Sequence, residues 1–331
     1  MDIVMKCKNI GTYAQLMLRR KTQVVLVYAF LIVLIIVASR ISPFFLTRGN
    51  ITNLLISSIP LLFVAYAQTI AIMSGGVDIS VGGVVSLANV IVAVVTENSI
   101  FLGVALALCA GMLAGGLNGV IITKGKQQPI IVTLAVALIL EGLALYILHI
   151  PGGSVPRGFA RGLTGTVGQI PVPLIIFVTV SIIIWFLLQK TRFGQSLRAT
   201  GGNENAALSS GIKVDKIRII AYMLSGLLAA FGGVYLACIM HSGDPTSGAP
   251  FALRSITTVV IGGTLLGGGR GGSIGTIAGV SIMMIINNLM NLARISGFYQ
   301  FVVQGLLLIL ALALSSFEVK RQVKTVIQKS E

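Results

Sequence analysis

The chain has 331 residues, of which 55% are hydrophobic and only 10% charged, and its formal net charge is +15. A water-soluble domain carries about 25% charged residues, so this composition excludes an ordinary soluble enzyme and makes lipid the solvent. The charge does not point to nucleic acid, because the Lys and Arg sit in short loops and tails beside apolar runs, where they set topology.

A hydrocarbon core about 30 Å thick takes roughly 20 residues of helix. Ten apolar runs approach that length: 23–39, 52–73, 79–96, 100–122, 129–148, 171–189, 217–239, 252–266, 274–292 and 299–317. Residues 1–22 form a basic tail. No A-x-A-type cleavage site follows the first run, which is long enough to span and reads as a retained helix.

Between the second and third runs lies Ser74-Gly75-Gly76-Val77-Asp78-Ile79-Ser80-Val81-Gly82-Gly83. Its glycines loosen the helix. Asp78 is one of very few acids near membrane depth, where ionisable groups are costly and face the bundle interior. Gly75, Gly76, Asp78, Ser80 and Gly82 are therefore candidate hinge and pathway residues. The direct task of Asp78 reads as capping the third helix in a tight cytoplasmic turn, by accepting the Ser80 or Val81 N–H.

The fourth run carries Gly111, Gly115 and Gly119, and the ninth run region carries Gly271, Gly275 and Gly279. A spacing of four puts each trio on one helix face, where a neighbouring helix approaches closely. The trios stand in matching places and suggest a weak inverted repeat of helices 2–5 and 7–10, an arrangement common in transporters.

The longest internal stretch on the basic side, 190–216, contains a short helix signal. Asn203 is a good N-cap, 204–210 a helical run and Gly211 a good C′ residue. The result is a two-turn helix of about 10 Å. It presents Glu204, Asn205, Ala206 and Ala207 to the cytoplasm, flanked by Arg192, Arg198, Lys213 and Lys216. A simple connector needs far fewer residues, so this helix reads as one that docks on a partner.

Run 252–266 is short and ends in glycines, and reads as a partial or re-entrant helix, allowed only away from lipid. The following Gly262-Gly263-Thr264-Leu265-Leu266-Gly267-Gly268-Gly269-Arg270-Gly271-Gly272 resembles a phosphate-cradling loop only superficially. It lacks the terminal G-K-[ST], and that tripeptide occurs nowhere in the chain. The chain is thus expected to have no ATPase of its own and no cofactor.

All but six of the 24 Lys and Arg fall on one side when both termini are placed in the cytoplasm; the exceptions are Arg40, Arg48, Arg157, Arg161, Arg254 and Arg294. That count supports ten spans, with 318–331 as a cytoplasmic tail. The outer loop 149–170 is rich in Gly and Pro, and no linker divides the chain, so it reads as one membrane domain. Cys7, Cys109 and Cys238 show no paired spacing, and His149 and His241 stand alone, which points away from disulfides and metal.

Gln68, Asn89, Asn118, Glu141, Asn287, Asn288 and Gln300 are polar residues within the runs. Gln68, Asn89, Asn287 and Asn288 are candidate pathway-lining residues for a hydroxyl-rich solute, since amides both donate and accept. Taken singly, each reads more readily as an interhelical hydrogen bond worth about 0.6–2 kcal/mol than as a pathway residue.

Three motifs together carry a resemblance: S-G-G-V-D-I-S-V-G (74–82), T-R-F-G-Q-S-L-R-A-T-G-G-N-E-N-A-A-L-S-S-G-I (191–212) and V-V-I-G-G-T-L-L-G-G-G-R-G-G-S-I-G-T-I-A-G (259–279). In this order they resemble the permease subunits of bacterial ATP-binding-cassette importers of the ribose, xylose and galactoside type. The resemblance implies an all-α, roughly ten-helix permease of the bacterial inner membrane, working as a dimer. It further implies two cytoplasmic ATPases that bind the ATP and an extracytoplasmic sugar-binding protein. Asn205-Ala206-Ala207 followed by Gly211 resembles the importer signature E-A-A-x-x-x-G, with Asn for Glu, and marks Asn203, Glu204, Asn205, Ala206, Ala207 and Gly211 as the coupling segment. The 149–170 loop is short for the family, so docking of the binding protein is expected to rest on other loops. Two other classes compete. An ion-coupled secondary transporter needs more buried acids than Asp78 and Glu141, and a membrane-embedded enzyme needs clustered His, Asp or Cys.

Overall fold

A computed structural model describes residues 24–327. The N-terminal tail with Cys7, and the last four residues of the C-terminal tail, lie outside the described residues. The helices, in chain order, are α1 (Val24–Ile41), α2 (Arg48–Met73), α3 (Val81–Val95), α4 (Ile100–Lys124), α5 (Pro129–Ile147), α6 (Arg157–Thr164), α7 (Val172–Lys190), α8 (Arg192–Gly202), α9 (Glu204–Ser209), α10 (Val214–Met240), α11 (Ala249–Ile261), α12 (Ser273–Leu292) and α13 (Gly297–Ile327). A two-stranded hairpin, β1 (Thr166–Val167) and β2 (Ile170–Pro171), follows α6.

Each of the ten expected apolar runs forms a helix. By length and composition α1, α2, α4, α5, α7, α10 and α12 reach across a membrane, whereas α3, α11 and the first part of α13 (Gly297–Ala311) are shorter apolar helices. At 1.5 Å per residue α3 and α11 span only about 22 and 20 Å. The run expected at 252–266 ends early, at Ile261, because Gly262 onward forms turns rather than helix. The tail expected from 318 is not a separate element, since α13 continues without a break to Ile327.

Burial sorts the helices into a centre and a shell. α2 is apolar on every side, and Ser58–Met73 is buried residue by residue, as a helix without a polar face must be. α10 packs across α2, α3 and α4. The shell helices turn large apolar side chains outward, among them Phe30 of α1, Leu113 of α4, Ile131 of α5 and Phe186 of α7. Such a surface is stable against lipid and unstable against water.

The α4–α10 crossing depends on small residues. A Cβ on Gly111 would lie 2.6 Å from the Ala230 Cβ, and one on Gly119 would lie 2.7 Å from the Ile219 Cα. Backbones therefore approach closely there, as the spacing of four suggests. The second trio departs from the sequence expectation. Gly275 and Gly279 lie in α12 and meet Gly262, just past α11, and Thr258 within it, but Gly271 precedes α12, so the three share no helix face.

The two short helices are built alike. α2 ends at Met73 and the chain runs through a non-helical stretch, 74–80, into α3. α10 ends at Met240, turns at His241 in the left-handed region, and runs through 241–248 into α11. Each stretch carries an Asp whose carboxylate accepts both the backbone N–H and the hydroxyl two residues on. The distances are 3.0 and 2.6 Å for Asp78 and Ser80, and 2.8 and 2.7 Å for Asp244 and Thr246. The following glycines, Gly82 and Gly248, abut: a Cβ on Gly82 would lie 3.1 Å from the Gly248 carbonyl oxygen. These paired breaks support a repeat of α2–α5 and α10–α13.

Candidate functional site

The segment 191–212 is a compact two-helix element. Thr191 caps α8, its Oγ1 accepting the Gly194 N–H at 3.3 Å. Leu197 on α8 is fully buried in the main core, and α8 packs against α2, α7 and α10. α9 then starts at Asn203, whose Oδ1 accepts the Ala206 N–H at 3.0 Å. It closes at Gly211, where φ is +79°. The Gly211 N–H donates to the Leu208 carbonyl at 2.9 Å and the Ile212 N–H to the Ala207 carbonyl at 3.0 Å, the two bonds of a Schellman motif. Six residues cannot hold a helix by propagation alone, so these end bonds and the contact with α8 keep α9 in shape.

Glu204, Asn205 and Ala206 are exposed, as expected, but Ala207 is buried and Leu208 is exposed in its place. Four consecutive residues cover more than one turn of helix, so they cannot all face outward. Glu204 pairs with Arg218 at the start of α10, at 2.8 Å.

Asp78 lies inside the helix bundle rather than at its surface. Its side chain is fully buried, and besides Ser80 it accepts the Ser225 hydroxyl of α10 at 2.7 Å. The Ser80 hydroxyl in turn accepts the Asn118 amide of α4 at 2.7 Å. One carboxylate thus ties the N-terminus of α3 to α4 and α10. In the second half the Asp244 N–H donates to Asn89 Oδ1 of α3 at 2.7 Å, and the Gly248 N–H donates to the Ser86 hydroxyl at 3.0 Å. The break before α11 is thereby stitched to α3.

The four candidate lining residues sit in separate hydrogen-bond settings. Asn89 holds the Asp244 backbone. Asn288 exchanges two amide hydrogen bonds with Asn50 of α2, at 2.8 and 3.1 Å. Asn287 accepts from Gln304 of α13 at 3.3 Å. Gln68 is fully buried, and among the described residues its amide has no hydrogen-bond partner. Gln300 donates to Asn291 at 2.8 Å. Arg254, counted in the sequence among outer-loop cations, lies within α11, where its Nε donates to Gln304 Oε1 at 2.7 Å and its guanidinium lies over the Phe301 ring.

Sequence reasoning missed α8, Ser225, Asp244 and Thr246. One signal was available: D-x-[ST]-x-G occurs at Asp78–Gly82 and again at Asp244–Gly248.

The chain matches the family described as branched-chain amino acid transport system / permease component over residues 50–312. It is 41% identical over 289 residues to the ribose import permease protein RbsC of Bacillus subtilis, covering 86% of this chain and 90% of that protein. It is 37% identical over 290 residues to RbsC of Escherichia coli K12, covering 85% and 90%. It is also 37% identical over 294 residues to the L-arabinose transport system permease protein AraH of E. coli K12, covering 87% and 89%. No solved structure matches the chain. The chain therefore belongs to the permease-component family of ATP-binding-cassette importers, as a multi-pass inner-membrane transport subunit and not an enzyme.

Proposed function

We propose that this chain forms the translocation pathway for a monosaccharide, pairs with a second permease subunit, and takes its driving motion from a separate ATPase through α9. The doubly capped α9, held against the bundle by α8 and exposing Glu204, Asn205, Ala206 and Leu208, carries this assignment. A helix that receives a push must stay rigid, and its surface must be free for a partner. The sugar class rests on relatives named for ribose, L-arabinose and D-allose. Alternating access needs an element with two discrete packings. The paired breaks before α3 and α11 supply backbone that reorients without unwinding a long helix.

The test is coupled uptake in proteoliposomes containing the permease, its ATPase and its binding protein, offered radiolabelled D-ribose, L-arabinose and D-allose. Gly211→Pro demands φ near −65° where the chain has +79° and removes the N–H donated to Leu208. Ala206→Arg enlarges the exposed face. Both variants should insert normally while ATP hydrolysis no longer drives uptake. Normal coupled uptake in both rules out the docking role of α9. Uptake that ignores ATP and follows an ion gradient would instead make the chain a secondary transporter.

A further inference from the structure

We propose that Gly201, Gly75 and Gly268, with the Met73 carbonyl, form the joint that passes movement of α8–α9 to both broken helices; this rests on the coupling reading of α9 above. Three segments far apart in sequence converge there. They are the last turn of α8, the end of α2 with the start of its break, and the loop between α11 and α12. They meet backbone to backbone. A Cβ on Gly201 would fall on the Met73 carbonyl oxygen and lie 2.7 Å from the Gly269 nitrogen. A Cβ on Gly268 would lie 2.6 Å from the Gly201 carbonyl oxygen and 3.0 Å from the Gly75 Cα. The Gly269 N–H donates to the Met73 carbonyl at 3.3 Å, tying the loop to the end of α2.

Among the described residues, the atoms nearest a Cβ on Gly75, Gly201 or Gly268 are all main-chain. Side chains in a joint can absorb a displacement by changing rotamer, whereas close-packed main chain transmits it. On one side of the joint the chain runs from Met73 through the 74–80 break to Asp78, which holds α3 to α10. On the other it runs back from Gly268 to Gly262, at the end of α11. A shift of α8 therefore acts on the first break directly and on α11 through its C-terminal loop. The same three segments are the three motifs singled out in the sequence, and the joint gives one physical reason for glycine in all of them.

Gly201 gives a clean perturbation. It lies within helical backbone, so Ala there introduces no φ strain and raises intrinsic helix propensity. Only the contact with Met73 and Gly269 suffers. Gly202→Ala, one residue on, is the control: the nearest atom to its Cβ is 3.9 Å away. The reporter is Leu253→Cys on the exposed face of α11, with Cys7 and Cys109 replaced by Ser. The purified permease–ATPase complex in nanodiscs is labelled with a maleimide, with and without ATP plus vanadate.

In the parent and in Gly202→Ala, nucleotide should change the labelling rate at residue 253. In Gly201→Ala that change should be lost, while the ATPase still co-purifies and still hydrolyses ATP. A Gly201→Ala complex that responds like the parent overturns the joint and leaves the coupling reading intact. A parent that does not respond to nucleotide overturns both. Hydrogen exchange on the unsubstituted complex gives an independent check if Gly201→Ala fails to assemble. Nucleotide should alter protection in 74–80 and 262–272 together with 192–211, and a change confined to 192–211 refutes the joint.

Discussion

Replacing Asp78 by Ala tests whether its carboxylate holds the first broken helix in place. The carboxylate accepts three hydrogen bonds, at 3.0 and 2.6 Å from Ser80 and 2.7 Å from Ser225, and its residue is fully buried. Bonds to a charged group contribute about 1.5–3 kcal/mol each, but the losses do not simply add. The Ser225 hydroxyl can rotate back to a carbonyl of its own helix, as Ser and Thr commonly do, and the Ser80 hydroxyl is also free to rotate. The Ser80 N–H cannot turn, and stranding it costs about 1–3 kcal/mol. A net loss of about 2–4 kcal/mol follows. At about 2 °C per kcal/mol for a chain of this size, melting in detergent should fall by about 4–8 °C. Circular dichroism at 222 nm follows the transition. Ser225→Ala alone should cost about 1 kcal/mol, and the double variant should be less harmful than the sum by about that same 1 kcal/mol, because the two groups are partners. A melting point for Asp78→Ala within about 1 °C of the parent, or strict additivity, refutes the clasp.

Three further outcomes follow from the same geometry. Asn203→Ala removes the cap of α9 and should cost about 1 kcal/mol locally, read as roughly fivefold faster amide exchange at Ala206, while Asn203→Asp retains the parent rate; equal rates in all three chains would remove the cap from the account. Glu204→Ala breaks a surface ion pair with Arg218, and such pairs contribute at most about 1 kcal/mol. Its melting point should stay within about 2 °C of the parent, and a larger fall would mean the pair is structural. Asn288→Ala and Asn50→Ala each break the same reciprocal amide pair and should lower stability by about 1 kcal/mol, Asn50→Ala by more because it also loses the bond to the Phe45 carbonyl. The double variant should be no worse than Asn50→Ala alone, and an additive double would contradict the pairing.

The geometry around the candidate residues was legible in the sequence unevenly, and the reason is range. Asn203 and Gly211 were legible because a cap bonds within three to five residues of itself. The Asp78–Ser80 bond was legible for the same reason, two residues apart. The Asp78–Ser225 bond was not, because its partners are separated by 147 positions. The amides are a different case. For each of Asn89, Asn287 and Asn288 the sequence favours an interhelical hydrogen bond without naming its partner, and only packing shows that Asn288 faces Asn50 and Asn287 faces Gln304. Ala207 was misplaced because the sequence marks the α9 helix but not the face it turns to the bundle.

Composition and the lengths of its apolar runs determined by themselves that this protein is a helical membrane protein. Run length and hydropathy are properties of consecutive residues, and lipid admits few solutions for satisfying their backbone. The three glycine-bearing motifs were also visible in the sequence, each as an isolated interruption of helix. Tertiary structure alone decided that Gly75, Gly201 and Gly268 share one joint, and that Asp78 and Asp244 open two matching breaks. Those facts depend on which helices pass close to one another, and that is set by the packing of the whole bundle rather than by any stretch of chain.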